Sequence, residues 1–277
     1  MNTMNSMNSM NSMNSMNNNI NHLTGGKDRC ISYTPLSIST ITVCFNFNNM
    51  ICFTDLKSKI GDKLSIKFNP GYKKSKIPKK KGTDSFYNSF DIRLTVVDRS
   101  QLLPIFSNVS VFIFPNGKVK IAGIKTMNTI NNVISELIEI ISSEIQFDNE
   151  LKAENIKIQM ICSDFKIKPI KDNPNGWCIK QEDLKNILVS KHNLSATFST
   201  LSRYPGINVK RKSNIEKDKL ISLLIFRSGS IIITGAKHIE DIIESYIFII
   251  SVIKNHYNKL FYYDINEEIK QQKKLLK

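Results

Sequence analysis

The sequence predicts an α+β fold built from two copies of one unit, and three observations carry that prediction. Residues 112–125, FIFPNGKVKIAGIK, return at a constant offset as LIFRSGSIIITGAK at 224–237. The pairs are Ile113 with Ile225, Phe114 with Phe226, Gly117 with Gly229, Ile121 with Ile233, Gly123 with Gly235 and Lys125 with Lys237. Each copy is two runs rich in β-branched, aliphatic or aromatic residues around a glycine turn, which reads as a strand pair whose side chains alternate between two faces with a period of two. After each copy the spacing changes to that of one helix face: Ile130, Ile134, Leu137, Ile141 and Ile145 in the first half, then Ile239, Ile242, Ile243, Tyr246, Ile250, Ile253 and Tyr257 in the second. Two copies cannot make a solenoid, which needs at least three. A pseudo-twofold domain with one continuous sheet is the simpler outcome.

The elements follow in order. Residues 1–19, MNTMNSMNSMNSMNSMNNN, form a triplet tract too poor in apolar variety to offset its ordering entropy, so 1–29 reads as a disordered tail. ISYTPLSISTITVCFNF, from residue 31, supplies β-branched and aromatic residues for strand, and DLKSKIGDKL at 55–64 a short helix. A basic loop follows at 69–85, with Lys73, Lys74, Lys76, Lys79, Lys80 and Lys81 packed together. Its simplest reading is a solvated insertion; in a DNA-binding protein the same lysines would reach phosphates. FDIRLTVVD at 90–98 and VSVFIFPNGKVKIAG at 109–123 read as strands, the latter turning at Pro115, Asn116 and Gly117. The second half repeats the order with IKIQMICSDFKIKPI as strand, QEDLKNILV as short helix, a strand pair meeting at Arg227, Ser228 and Gly229, and a long helix. The expected division is a tail at 1–29, a first repeat at 30–147, a second at 148–262 and a charged C-terminal tail at 263–277.

The 277 residues carry 39 Lys+Arg against 24 Asp+Glu, and the resulting +15 favours polyanionic partners, either nucleic acid or an anionic membrane surface. Five cysteines, an odd number without a CxxC pair, suggest neither a disulfide framework nor a zinc site and fit a reducing compartment. The N-terminus lacks the basic and apolar regions of a signal peptide. The most apolar late stretch, IIESYIFIISVI at 242–253, is too short and carries Glu244, so neither secretion nor membrane insertion is expected.

Strand alternation sorts the hairpins into faces. Phe112, Phe114, Lys120 and Ala122 share one side, matched in the second copy by Leu224, Phe226, Ile232 and Thr234. The aliphatic sets, Ile113, Val119 and Ile121 with Ile225, Ile231 and Ile233, belong under the long helices. The first side then has no helix to cover it. It reads as a binding surface unless loops or a partner chain cover it.

At these residues the sequence resembles the TATA-box-binding protein family. LLIFRSGSIIITGAK at 223–237 is similar to that family's second-repeat signature, and FIFPNGKVKIAGIK to the first. RYPGI at 203–207 resembles the Phe-Pro-Gly of the second stirrup, and IKIQMICSDFKIKPI the strand that opens the second repeat. The resemblance implies a saddle: two pseudo-symmetric repeats forming one curved antiparallel sheet with two long helices on its convex side. It implies a general transcription initiation factor that binds and bends A·T-rich promoter DNA through the minor groove. Matched position by position, the intercalating residues are Phe114 with Phe90 in the first repeat and Phe226 with Tyr204 in the second. Minor-groove contacts fall on Phe112, Lys120, Ala122, Gln159, Ile161, Leu224, Ile232 and Thr234, and phosphate contacts on Asn116, Lys125, Lys210, Ser228 and Lys237. No cofactor or metal is implied. The implied partners are double-stranded DNA, RNA polymerase and IIB-like and IIA-like factors, in the nucleus or, for a viral chain, in a cytoplasmic factory or virion. The Asn, Ile and Lys bias points toward an A·T-rich genome such as that of a large DNA virus.

The sequence also departs from the family. Gln159 stands for an asparagine, Lys120 for a valine and Tyr204 for a phenylalanine, which loosens the expectation of strict TATA preference. FSTLS at 198–202 replaces the acidic element that holds transcription factor IIB. Two alternatives stay open: an accessory domain of a nucleic-acid enzyme, and a scaffold that no longer binds DNA. No HExxH, GxxxxGK[ST] or GxSxG motif supports an enzyme, and His22, His192, His238 and His256 are scattered.

Overall fold

The β-branched runs become strands in both halves, and each half closes on its own helix. The computed structural model describes residues 26–27, 30–60, 67–69, 89–98, 105–171, 175–198 and 205–275. The triplet tract, the lysines of the basic loop and Tyr204 lie outside the described residues. In the first half the elements are β1 (Gly26–Lys27), β2 (Ile31–Tyr33), β3 (Ser37–Phe47), α1 (Phe53–Ile60), β4 (Lys67–Asn69), β5 (Ser89–Asp98), β6 (Ile105–Ile113), β7 (Lys118–Ile124) and α2 (Thr129–Glu144). There follow β8 (Ala153–Pro169), β9 (Trp177–Ile179), α3 (Gln181–His192), β10 (Ser195–Thr197), β11 (Gly206–Lys212), β12 (Leu220–Phe226), β13 (Ser230–Ala236) and α4 (Ile239–Asn255). The chain ends in α5 (Tyr257–Leu260), β14 (Phe261–Tyr263) and α6 (Ile265–Leu275).

Among the described residues the chain divides into two compact units, one of Thr40–Gln159 and one of the residues up to Ser39 together with Met160–Lys277. The first carries the antiparallel order β3-β7-β6-β5-β4 and the second β8-β13-β12-β11-β10. Strand for strand the two orders correspond, so the α+β class and the duplication both appear in the backbone pairing. Even the irregularities repeat. The β3–β7 register shifts beside Gly123, and the β13–β8 register shifts beside Gly235.

Burial follows alternation. In β5, Phe90, Ile92, Leu94 and Val96 are buried while Arg93 and Thr95 are exposed. Helix α2 covers its sheet with Ile130, Val133, Leu137 and Ile141, and α4 packs on β13 with Ile239, Ile242, Tyr246, Ile249 and Ile253. Each such side chain contributes about 1.5–3 kcal/mol. The buried stripe of α4 differs from the expected one: Ile243 and Ile250 are half-buried, and Ile249 and Val252 take the core positions. The stripe turns because polar Asp241 and Ser245 lie on it, each with a structural task. The Asp241 carboxylate accepts from Ser213 Oγ at 2.7 Å and from the Asn214 N–H at 3.2 Å, while Ser245 Oγ accepts from Arg211 at 3.2 Å. Tyr257 falls beyond α4, in α5.

The charged stretch after residue 262 carries the helix α6, and β14 pairs with β9. This C-terminal segment holds the tip of the second hairpin. Arg227 donates to Asp264 at 2.9 Å and to Glu267 at 3.2 Å.

Candidate nucleic-acid interface

Cross-strand register builds one surface twice. In the first unit Phe112, Phe114, Lys120 and Ala122 are half-buried on the face opposite the helix, while Ile113, Val119 and Ile121 are in the core. The second unit repeats this with Leu224, Phe226, Ile232 and Thr234 on one face and Ile225, Ile231 and Ile233 on the other. The rows can be read across the strands. Cys44, Lys120, Phe112 and Asp91 form one row of the first unit, and Thr42, Ala122, Ser110 and Arg93 the next. Their counterparts are Asp164, Ile232, Leu224 and Asn208, then Cys162, Thr234, Ser222 and Lys210.

Two expected positions move. Phe90 is fully buried, paired with Ile113 on the helix side, because the alternation of β5 points it into the core. It is therefore a core residue, not a wedge. Ile161 is likewise fully buried opposite Ala236, and Cys162, Asp164 and Lys166 take the outer face of β8. The rows also bring in Arg93, the register equivalent of Lys210, which sequence matching missed. The signal was present: once Phe90 points inward, Asp91, Arg93 and Thr95 must point out.

The hairpin ends are set by tight turns. Gly229 has φ 81°, and a Cβ there would lie 2.0 Å from the Ile167 carbonyl oxygen, so only glycine fits. The Ile167 N–H in turn donates to Gly229 O at 2.9 Å, as Phe47 N–H does to Gly117 O at 2.8 Å in the first unit. Phe226 pairs with Gly206, where a Cβ would come within 3.1 Å of the ring, so the missing side chain makes room for the aromatic. Gln181, at the start of α3, fixes this corner by donating to Pro205 O at 2.9 Å and Ile225 O at 3.1 Å.

The expected phosphate ligands are not equally available. Asn116 and Lys125 are exposed, with Asn116 Oδ1 accepting from the Lys118 N–H at 3.2 Å. Lys210 donates to Ser222 Oγ at 2.7 Å, and Ser228 Oγ to Ser230 Oγ at 3.2 Å. Lys237 pairs with Glu216 at 3.1 Å, and its hydrogen bond holds that carboxyl below its ordinary value. Burial pushes both outer-face thiols, Cys44 and Cys162, above theirs. Gln159 is exposed. With Asn155, Lys157, Lys118, Lys120 and Phe114 it lines a cavity of about 670 Å³ on the outer face of the first unit. Among the described residues no group of three His, Cys, Asp or Glu could hold a metal ion, and no helix is long and apolar enough to cross a membrane.

Residues 181–256, which span α3 to the end of α4, match the family model described as Transcription factor TFIID (or TATA-binding protein, TBP). A TATA-box-binding protein-like protein of Acanthamoeba polyphaga mimivirus is 28% identical over 207 residues, which cover 67% of this chain; the match spans 52% of the mimivirus protein's own length. Among solved structures, Methanococcus jannaschii TBP is similar at 19% identity with a TM-score of 0.48, covering 79% of this chain and 98% of that one. The chain is thus similar to TATA-binding proteins, and the family-model match falls in its second half.

Proposed function

We propose that this protein is a minor-groove DNA-binding factor of transcription initiation that grips A·T-rich duplex on the outer faces of its two repeats and kinks it with aromatic wedges. The observation that carries this reading is the duplicated surface itself. In each unit an aromatic side chain, Phe114 or Phe226, stands half-buried at a glycine-tipped hairpin, on the face away from the helix.

The physics of the groove explains that residue choice. The minor-groove floor separates A·T from G·C and little else, so selectivity there comes from width, deformability and apolar wedges. For proteins of this kind, TATA-binding proteins among them, unstacking costs about a few kcal/mol per step and is offset by the surface that bent DNA then covers. Phe112, Leu224, Ile232 and Thr234 provide an apolar floor beside the wedges. Lys125, Arg93 and Lys210 are suited to phosphates, which set register without reading sequence.

The register supports a different candidate for one wedge. Tyr204 lies two residues before Gly206, the partner of Phe226. The same count from Phe114, one step beyond the Phe90–Ile113 pair, passes through Ser89 and reaches Tyr87. Tyr87, outside the described residues, is therefore the first-repeat candidate in place of Phe90.

The test is a fluorescence bending measurement on a TATA-containing duplex with a G·C-rich control. Replacing Phe114 and Phe226 together by Ala is expected to remove most of the bending while leaving salt-sensitive, non-specific binding from the lysines. Unchanged bending in that double variant would overturn the wedge assignment.

A further inference from the structure

The cavity beside the first hairpin is built by neighbouring strands of the first unit. Strands β3 and β7 pair Asn46 with Lys118 and Cys44 with Lys120, and the period of two places all four on the outer face. Strand β8 adds Asn155, Lys157 and Gln159 at the same period, while Phe114 and Asn116 close the end at the hairpin. Asn155 takes the left-handed region at φ 55° inside a strand, a kind of backbone outlier that clusters at ligand sites. The resulting volume of about 670 Å³ is usual for a small-molecule pocket. Among the described residues that line it, none is acidic. Of the carboxylates at neighbouring positions, Asp91 lies beyond Phe112 in the Lys120 row and accepts from Ser89 Oγ at 2.5 Å, and Glu154 precedes Asn155 at an exposed position. Three lysines against those two carboxylates leave the cavity cationic.

We infer that this cavity binds a nucleoside triphosphate, and that the bound nucleotide competes with duplex DNA for the first repeat. Lys118, Lys120 and Lys157 neutralise the phosphates. The half-buried Phe114 ring offers a face on which a base stacks, and the amides of Asn46, Asn155 and Gln159 supply donors and acceptors for the base edge and sugar hydroxyls. A bare anion would use the lysines alone; the aromatic ring and the amides have work only if a nucleoside is attached. The nucleotide site stands on this cavity by itself. The competition rests on the DNA-binding reading above, which places Phe114 in the duplex. With nucleotide on Phe114 the first wedge cannot enter a base step, so DNA binding falls as free nucleotide rises.

The experiment measures binding of ATP to the full chain by calorimetry at constant ionic strength, with inorganic triphosphate as the partial ligand. A single ATP should bind per chain, about tenfold more tightly than inorganic triphosphate, the effect of one aromatic stack. Phe114→Ala should bring ATP down to the affinity of inorganic triphosphate, and Lys120→Ile should weaken both by about tenfold. Lys212→Ala, at an exposed position of the second unit, should change neither. Iodoacetamide locates the site, because Cys44 and Cys162 are both half-buried outer-face thiols, one in each unit. ATP should slow alkylation of Cys44 and leave that of Cys162 unchanged. It should also weaken binding of the TATA duplex more than inorganic triphosphate does. No ATP binding up to about 1 mM, equal affinity for ATP and inorganic triphosphate, or equal protection of the two thiols overturns the site. ATP binding that leaves duplex affinity unchanged overturns the competition. A wild type that binds ATP but no duplex overturns the DNA-binding reading, and the competition with it, while the nucleotide site stands.

Discussion

The two hairpin tips do the same geometric job under different constraints. In the first unit the turn is Pro115, Asn116 and Gly117; in the second it is Arg227, Ser228 and Gly229. Both glycines take the left-handed region, at φ 76° and 81°. A Cβ on Gly117 would meet its nearest backbone oxygen at 3.0 Å, but one on Gly229 would lie 2.0 Å from Ile167 O. The second tip is also clamped from outside by Asp264 and Glu267, and the Ile179 N–H donates to the Arg227 carbonyl at 2.8 Å. The difference teaches that a duplicated sequence need not give duplicated restraint. Phe226 sits beside a corner fixed by Gln181 and by the C-terminal segment, while the first tip carries an uncharged Pro115 in place of the clamped arginine.

The largest expected effect separates core from surface. Phe90→Ala should destabilise the protein by about 3–5 kcal/mol in urea unfolding, as a buried aromatic does. Any loss of bending should parallel the loss of folded protein. A fully folded variant that fails to bend DNA would return Phe90 to the wedge role.

The next effect compares the tips directly. Gly229→Ala should cost about 3 kcal/mol or more, combining the left-handed backbone with a collision that requires strand movement. Gly117→Ala should cost about 1–2 kcal/mol, the backbone preference with a tighter-than-usual contact. Equal losses in the two urea midpoints would mean that the Ile167 contact yields readily and that the second tip is no more constrained.

The smallest effect tests the clamp. Arg227→Ala should lower global stability by about 1 kcal/mol or less, because the ion pairs are partly solvated. Amide exchange should nonetheless speed up across Ile265–Leu275, and exchange that stays slow there would show that α6 is held by other contacts. Acid should act in the same way. Burial pushes the Asp264 carboxyl upward, but the Asn266 N–H and the Arg227 charge outweigh it and leave the carboxyl below its ordinary value. A depressed carboxyl contributes stability above its unfolded value and loses it as pH falls through the folded one. Exchange in α6 should therefore rise below about pH 3.9, the ordinary Asp value, and do so before the core opens.

The duplication, the hairpins and the division into faces were legible in the sequence because strand alternation and glycine turns are local and repeat at a fixed offset. Phe114, Phe226 and their neighbours were assigned correctly to the side away from the helices for that reason. Phe90 and Ile161 were not, although the same alternation applied to them. The resemblance places both at family positions on the outer face, but only cross-strand pairing fixes which way a residue points when register is offset by a turn or a bulge. The same pairing is what brings Arg93 to the outer face.

The sequence by itself determined which elements form and which of their faces are apolar, because those follow from short-range periodicity and turn chemistry. The tertiary structure alone decided which residues from distant strands share a row, that Lys118, Lys120 and Lys157 meet in one cavity, that Lys237 is partnered by Glu216, and that α6 grips Arg227. Each of those pairings joins residues tens of positions apart, and no local pattern encodes the register that brings them together.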